Sequence, residues 1–240
     1  MRWPRIPRRR RHVPDERSAD SPGTAQRDPA RDRARMVAEQ LEARGIRDAE
    51  LLRAFLTVER HAFVEDIDPY GDHALPVGEG QTISQPYVVA RMTEIARPPN
   101  GWRGANVLEV GTGSGYQAAI LAELGAQVTS IERIADLADT ARARLAAAGY
   151  SQVVVVVADG TEGWPAAAPY ASILVTAGGP SVPPPLVQQL DPDGGRLVIP
   201  VGTRHHQMLT LVERHGDDAR TRELEPVVFV PLIGRHGVDG

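Results

Sequence analysis

The chain has 240 residues with 42% hydrophobic content, enough to bury the core of one sizeable α/β domain. It has no cysteine, and all 27 of its basic residues are arginine. That excludes disulfide frameworks, thiolate metal sites, cysteine nucleophiles, Schiff-base lysines and the Gly-Lys phosphate loop.

The net charge of −4 is unevenly placed, with 11 arginines against 5 acids in residues 1–35 and a net −10 in the remainder. The first stretch is rich in Arg and Pro and poor in large apolar residues, so residues 1–35 are expected to be a disordered tail and 36–240 the folded domain. The run Arg8 to Arg11 is either solvated or available to an acidic surface or nucleic acid. No window reaches the roughly 18 to 20 apolar residues of a membrane span, and no apolar segment follows the N-terminal arginines. A cytoplasmic protein with no membrane partner is expected.

From Met36 to Val58 apolar residues recur at three- and four-residue spacing around a break at Gly45, predicting two short amphipathic helices. Residues 60–86 are rich in Gly, Pro and Asp and read as an ordered loop region, of a length that is usually functional. A helix over Tyr87 to Ala96 follows. After Arg103, β-branched runs at Ala105–Val110, Gln127–Ile131, Val153–Ala158, Ser172–Thr176 and Arg196–Val201 alternate with helical patterns at Tyr116–Leu124, Ile134–Ala148 and Pro185–Leu190. That alternation predicts a Rossmann-like parallel α/β sheet with right-handed crossovers and helices on both faces. Gln207–Glu213 and Pro226–Leu232 are expected as a terminal antiparallel pair.

The chemistry starts at the first of these strands. Glu109-Val110-Gly111-Thr112-Gly113-Ser114-Gly115-Tyr116 is a strand end, a glycine turn and a helix start, where glycine permits positive φ and close ligand approach. A dinucleotide fingerprint wants its third glycine at position 116 and meets Tyr116 instead. The G-x-G-x-G form preceded by an acid favours S-adenosylmethionine over NAD. Glu132 closes the second strand, 21 residues after Gly111, where a carboxylate can accept both hydroxyls of a ribose; an exposed helix cap is the alternative. Asp159-Gly160 ends the third strand at the same edge, as a ligand contact or a plain turn.

The acceptor is narrowed by absences. Cysteine-adduct methylation of pyrimidines is impossible, and Thr176-Ala177-Gly178-Gly179-Pro180 is not the Asn/Asp-Pro-Pro-aromatic segment of many amino-group methyltransferases. A carboxylate is ionised near neutral pH and needs no general base, only donors that align one oxygen and a site that excludes water. Gln81-Thr82-Ile83-Ser84-Gln85-Pro86 can supply them, with Ser84 as N-cap and Pro86 in the first helical turn. The alternative is a cap alone.

Gly80 to Pro86, Val107 to Tyr116, Asp159-Gly160, Ala168-Pro169-Tyr170 with Val175-Thr176-Ala177, and Gly194 to Gly202 together resemble the protein-L-isoaspartate O-methyltransferase family over about residues 36–236. The resemblance implies a seven-stranded sheet with an antiparallel last strand, and methylation of the free α-carboxyl of isoaspartyl residues in damaged proteins. It implies a catalytic role for Ser84, with Gln81, Thr82, Ile83, Gln85 and Pro86 around the substrate. Gly111, Gly113 and Gly115, with Glu109 beside them, would wrap the methionine part of S-adenosylmethionine, Glu132 the ribose, and Asp159 with Gly160 the adenine. A monomer acting on isoaspartyl proteins and peptides is expected.

Three positions depart from the family pattern: Glu59 for proline, Ala171 for aspartate, and Gly178-Gly179 for alanine or proline. A nucleic-acid methyltransferase is disfavoured because the −10 domain repels a polyanion. A tailoring enzyme for one precursor peptide and an inactive cofactor-binding module remain as alternatives. His61, His73, His205, His206 and His215 have no metal-ligand spacing, so no metal is expected.

Overall fold

The structure, a computed structural model, describes residues 28–239. The Arg8–Arg11 run and the rest of 1–27 lie outside them. Helix α1, Pro29–Met36, begins seven residues before the expected domain start: Asp28 caps it by accepting the Ala30 N–H at 3.0 Å, and Pro29 opens it. Residues 29–35 are therefore not part of a disordered tail. Composition hid what anchors them, which is the buried Met36 and Arg33, whose guanidinium donates to Glu59 at 3.1 Å. Glu59, in place of the family's proline, is thus the partner that ties α1 to the domain.

The chain runs on through a π turn at Val37–Leu41 and a 3-10 turn at Glu42–Arg44, and Gly45 ends it at φ 98°. Helix α2, Ala49–Thr57, is capped by Asp48, which accepts the N–H groups of Glu50 and Leu51. Its buried Phe55 meets the ring of Tyr116 edge-on at 6.1 Å, and Phe63 does so at 5.7 Å. The guanidinium of Arg60 lies 5.0 Å from the same ring while its Nε donates to Pro69 O, which fastens the loop region to the glycine-turn helix.

That loop region contains strands the sequence pattern did not reveal. β1, Leu75–Gly78, and β2, Gln81–Ile83, form a hairpin that reverses at Glu79 and Gly80, both at positive φ. Helix α3 follows at Pro86–Ala96, with Pro86 at its first position as expected.

The main sheet matches the alternation closely. β3 (Asn106–Val110), β4 (Gln127–Glu132), β5 (Val154–Val157) and β6 (Ser172–Val175) all lie within one residue of the expected ends. Helices α4 (Tyr116–Glu123), α5 (Ala135–Ala147) and α6 (Pro184–Gln188) connect them, and β7 (Asp193–Thr203), β8 (His206–His215) and β9 (Asp218–Val227) complete seven strands in the order β5-β4-β3-β6-β7-β8-β9. The first five are parallel; β8 pairs antiparallel to both neighbours, so the reversal falls at β8 and β9 turns back. The second strand of the expected terminal pair starts at Asp218, eight residues early. As an exposed edge strand, β9 needs no apolar face, so its alternating charges hid it. Residues 228–232 are not its continuation but a separate wall beside the cleft.

Successive strand residues feed two cores. Val107, Val128, Leu174 and Val198 pack towards α2, α3 and α4, whereas Leu108, Ile131, Ile173 and Leu197 pack towards α6. Both faces of the sheet are covered, which is why the strands read as continuous apolar runs. Ala171 keeps the start of β6 intact without the family's aspartate: its N–H donates to Asn106 O at 2.9 Å and its carbonyl accepts from Arg196 at 3.2 Å.

Candidate active site

The carboxyl ends of β3, β4 and β6 open into a cleft with three connected chambers, and Thr82 and Thr176 line all three. The first chamber is bounded by Gly111, Gly113, Glu132 and Gly160 below and by Val230 to Ile233 above. The second lies between Ser84 and the glycine turn, with Glu109 at its base. The third runs from Ser84 and Gln85 to Pro226–Val230.

The turn between β3 and α4 is held from both sides. Thr176 Oγ1 donates to Gly111 O at 2.7 Å, and the Gly113 N–H donates to Glu132 Oε2 at 3.0 Å. Glu132 also accepts the Ile134 N–H at 3.1 Å, so it supports the entry to α5 while it lines the first chamber; at 6% exposure it is not an exposed cap. Gly111 has φ 98°, and a side chain there would collide with the Thr176 hydroxyl. Gly113 has φ 53° and open space above its α-carbon.

Glu109 is fully buried. The Ser130 hydroxyl donates to its Oε2 at 2.5 Å, and Thr112 Oγ1 lies 2.6 Å from Ser130 Oγ; because the Ser130 proton is committed, Thr112 is the donor there. Oε1 has no partner among the described residues. Burial pushes the Glu109 carboxyl up to about 8, against the Ser130 hydrogen bond and with help from nearby Glu132, so it is protonated at neutral pH.

A stability prediction follows from that shift. A carboxyl that titrates near 4.5 when unfolded and near 8 when folded binds more protons in the folded state between those values. Stability is therefore full at the acid end and falls as pH rises, by about 1.4 kcal/mol per pH unit. Glu109→Gln removes the slope. In urea unfolding at pH 5.5, 6.5 and 7.5, the variant should gain on the wild type by about that amount at each step. Parallel profiles would mean that Glu109 is not buried as a neutral acid.

Several other site residues fall where the sequence placed them, and some do not. Gln81, Thr82, Ile83, Ser84 and Gln85 all reach the cleft from β2 and the chain that follows it. Ser84, however, is not the helix cap: Gln85 occupies that position, with no side-chain cap bond, because Pro86 starts the helix and shifts the boundary by one residue. The Ser84 side chain is half-buried and uncommitted among the described residues. Pro86 itself is buried outside the chambers as the first residue of α3. Gly115 also faces away, with its α-carbon against Leu145 of α5, so its φ of 91° serves helix packing.

Asp159 lies behind the wall. One oxygen accepts the N–H and hydroxyl of Thr161, at 2.9 and 2.7 Å, and the other accepts the Arg235 N–H at 2.8 Å. Burial alone would raise its carboxyl, but these three donors outweigh it and hold it below the usual range. Only Gly160 of that pair lines the first chamber. The Val230–Ile233 wall and the tether of Thr176 leave no local mark in the sequence, because both are defined by contacts between distant segments.

A doubly wound sheet with a reversed strand, a glycine turn after its central strand and a buried acid closing the next strand is a class I methyltransferase domain. The chain belongs to the protein-L-isoaspartate(D-aspartate) O-methyltransferase family, whose model matches residues 32–237. It is 52% identical over 209 residues to the protein-L-isoaspartate O-methyltransferase of Methanoregula boonei, covering 86% of this chain and 94% of the relative. Among solved structures, a protein-L-isoaspartate O-methyltransferase superposes with TM-score 0.76 at 27% identity, over 85% of this chain and 67% of the other. The fold also matches a Plasmodium falciparum protein described as a putative member of the family and solved with S-adenosyl-L-homocysteine. There the TM-score is 0.70 and the identity 24%, over 82% and 96% of the two chains.

Proposed function

We propose that the protein transfers a methyl group from S-adenosylmethionine to the free α-carboxylate of L-isoaspartyl residues in damaged proteins and peptides. Besides family membership, one observation carries this reading. The third chamber, from Ser84 and Gln85 to Pro226–Val230, has no titratable side chain in its lining. A hydroxyl or amine acceptor would need a base there, whereas a carboxylate arrives already ionised.

The residues present fit the cofactor. Glu132 offers two carboxylate oxygens to a ribose, and Ile131, Val230 and Leu232 give the first chamber an apolar lining for a purine. S-adenosylmethionine supplies, when bound, an electrophilic methyl group on a sulfonium sulfur. Ser84 and Gln85 hold the carboxylate so that one oxygen points across the Thr82–Thr176 junction towards the first chamber. Val227 and Phe229 keep water from that junction. The carboxylate would supply the electron pair of the new C–O bond while the pair of the broken C–S bond would stay on sulfur, so none of the lining residues would have to move a proton. Away from the enzyme the next backbone nitrogen then attacks the ester carbonyl and closes a succinimide, losing its proton as the C–O bond to the methoxy group breaks and methanol departs, a far better leaving group than the oxide of a free carboxylate.

We propose further that it acts as a monomer. No helix among the described residues is long and apolar enough to cross a membrane. The reading is tested with a synthetic isoaspartyl peptide and its aspartyl twin. Methyl transfer is expected to the first alone, because the extra backbone methylene moves the carboxylate relative to Ser84. Equal rates on both would overturn it.

A further inference from the structure

The wall that separates the first chamber from the third leaves the sheet where β9 ends. Gln207 on β8 pairs with Val227, the last residue of β9. Beyond that point no strand accompanies the chain, and the side chain of the same Gln207 takes over. Its Oε1 accepts the Phe229 N–H at 2.8 Å and its Nε2 donates to Phe229 O at 3.2 Å. The carboxamide thus stands in for a strand partner, with both of its ends committed to one residue's backbone. Immediately beyond, Val230 O accepts the Gly178 N–H and Leu232 N–H donates to Gly178 O, each at 2.8 Å.

These anchors interlock at one point. A β-carbon on Gly178 would lie 2.5 Å from Gln207 Cδ and 2.6 Å from its Oε1, in the space the carboxamide occupies. Gln207 is 3% exposed, so its amide has no water to fall back on. The segment it holds faces the cleft on both sides: Val228 and Phe229 line the third chamber, Leu232 and Ile233 the first, and Val230 both. Val228 is 71% exposed at the open rim, so packing does little to hold that end of the wall.

We propose that Gln207 is a positioning residue for the methyl-transfer cleft. Its carboxamide, admitted by the absence of a side chain at Gly178, sets the separation of the cofactor and carboxylate chambers. Gln207 reaches neither chamber itself and acts through the Phe229 backbone. The inference rests on the isoaspartyl reading only for its turnover measurements.

The test is a double-mutant cycle on the full chain, read by S-adenosylhomocysteine binding in calorimetry, by KM and kcat on the isoaspartyl peptide, and by Tm. Gln207→Ala removes both hydrogen bonds, and Gly178→Ala pushes the carboxamide out of place. Each is expected to weaken S-adenosylhomocysteine binding at least threefold and raise peptide KM at least fivefold, measured well below Tm, with a smaller change in kcat. In the Gln207→Ala background the added Gly178→Ala methyl meets no carboxamide, so the double variant should be no worse than Gln207→Ala alone. Lowered Tm with unchanged binding and KM would mean a structural role only, and effects that multiply independently would separate Gly178 from Gln207; either result overturns the proposal. The binding arm needs no turnover, so its outcome stands even if the wild type ignores isoaspartyl peptides.

Discussion

Replacing Glu132 with alanine should weaken S-adenosylhomocysteine binding by about 1.5–3 kcal/mol, roughly ten- to 150-fold, the usual loss when hydrogen bonds to a charged group disappear. Two effects combine. The carboxylate lines the first chamber, where we propose that it meets the ribose hydroxyls, and it also accepts the Gly113 N–H at 3.0 Å and the Ile134 N–H at 3.1 Å. Alanine thus removes the ligand's acceptor and frees the glycine turn that shapes the chamber. Glu132→Gln weakens both less completely, since its amide oxygen still serves one of the backbone donors while the NH2 faces the other. Calorimetry gives the affinity and a melt without ligand gives the cost to the fold. A change in dissociation constant below twofold for Glu132→Ala would mean that the ribose is held elsewhere.

The ease with which the sequence revealed each part of this cleft follows from how locally that part is built. The parallel strands are buried on both faces, so β3 to β6 stand out as short apolar runs. The glycine turn needs positive φ at Gly111 and Gly113 within three residues, which few other residues tolerate. The acid at 132 is fixed by the length of one strand-helix-strand unit. The helix boundary at α3 was misread by a single residue because Ser84 and Gln85 precede the proline in succession and serine is the better cap by propensity. The wall at 228–233 could not be read in advance: Gln207 meets Phe229 across 22 residues, and Gly178 pairs with a segment more than 50 residues away. Asp159 shows the same limit, since spacing gave its strand end but not the Arg235 N–H that occupies its carboxylate. The helix at Pro29–Met36 was hidden by composition, because its hold on the domain is an ion pair to Glu59 and one buried methionine.

Ser84→Ala is expected to lower kcat on the isoaspartyl peptide about ten- to 150-fold, corresponding to the ~1.5–3 kcal/mol of a hydrogen bond to a charged group, while KM changes by less than about threefold. The hydroxyl stands where the second and third chambers meet and has no partner of its own among the described residues, so it is free to donate to the acceptor carboxylate. An interaction that aligns one oxygen for in-line attack is completed in the transition state and therefore appears in kcat. The structure sharpens the contrast with a capping role. Had Ser84 been the N-cap of α3, alanine would cost ~0.5–2 kcal/mol of stability; Gln85 holds that position without a side-chain bond, so the melting temperature of Ser84→Ala should stay within about 2 °C of wild type, less than the roughly 2–4 °C that 1 kcal/mol shifts a domain of this size. Turnover and melting measured on one preparation decide the matter. Intact kcat with a lowered melting temperature would remove Ser84 from the chemistry and leave Thr82 and Gln85 as the donors to examine, since both line the third chamber.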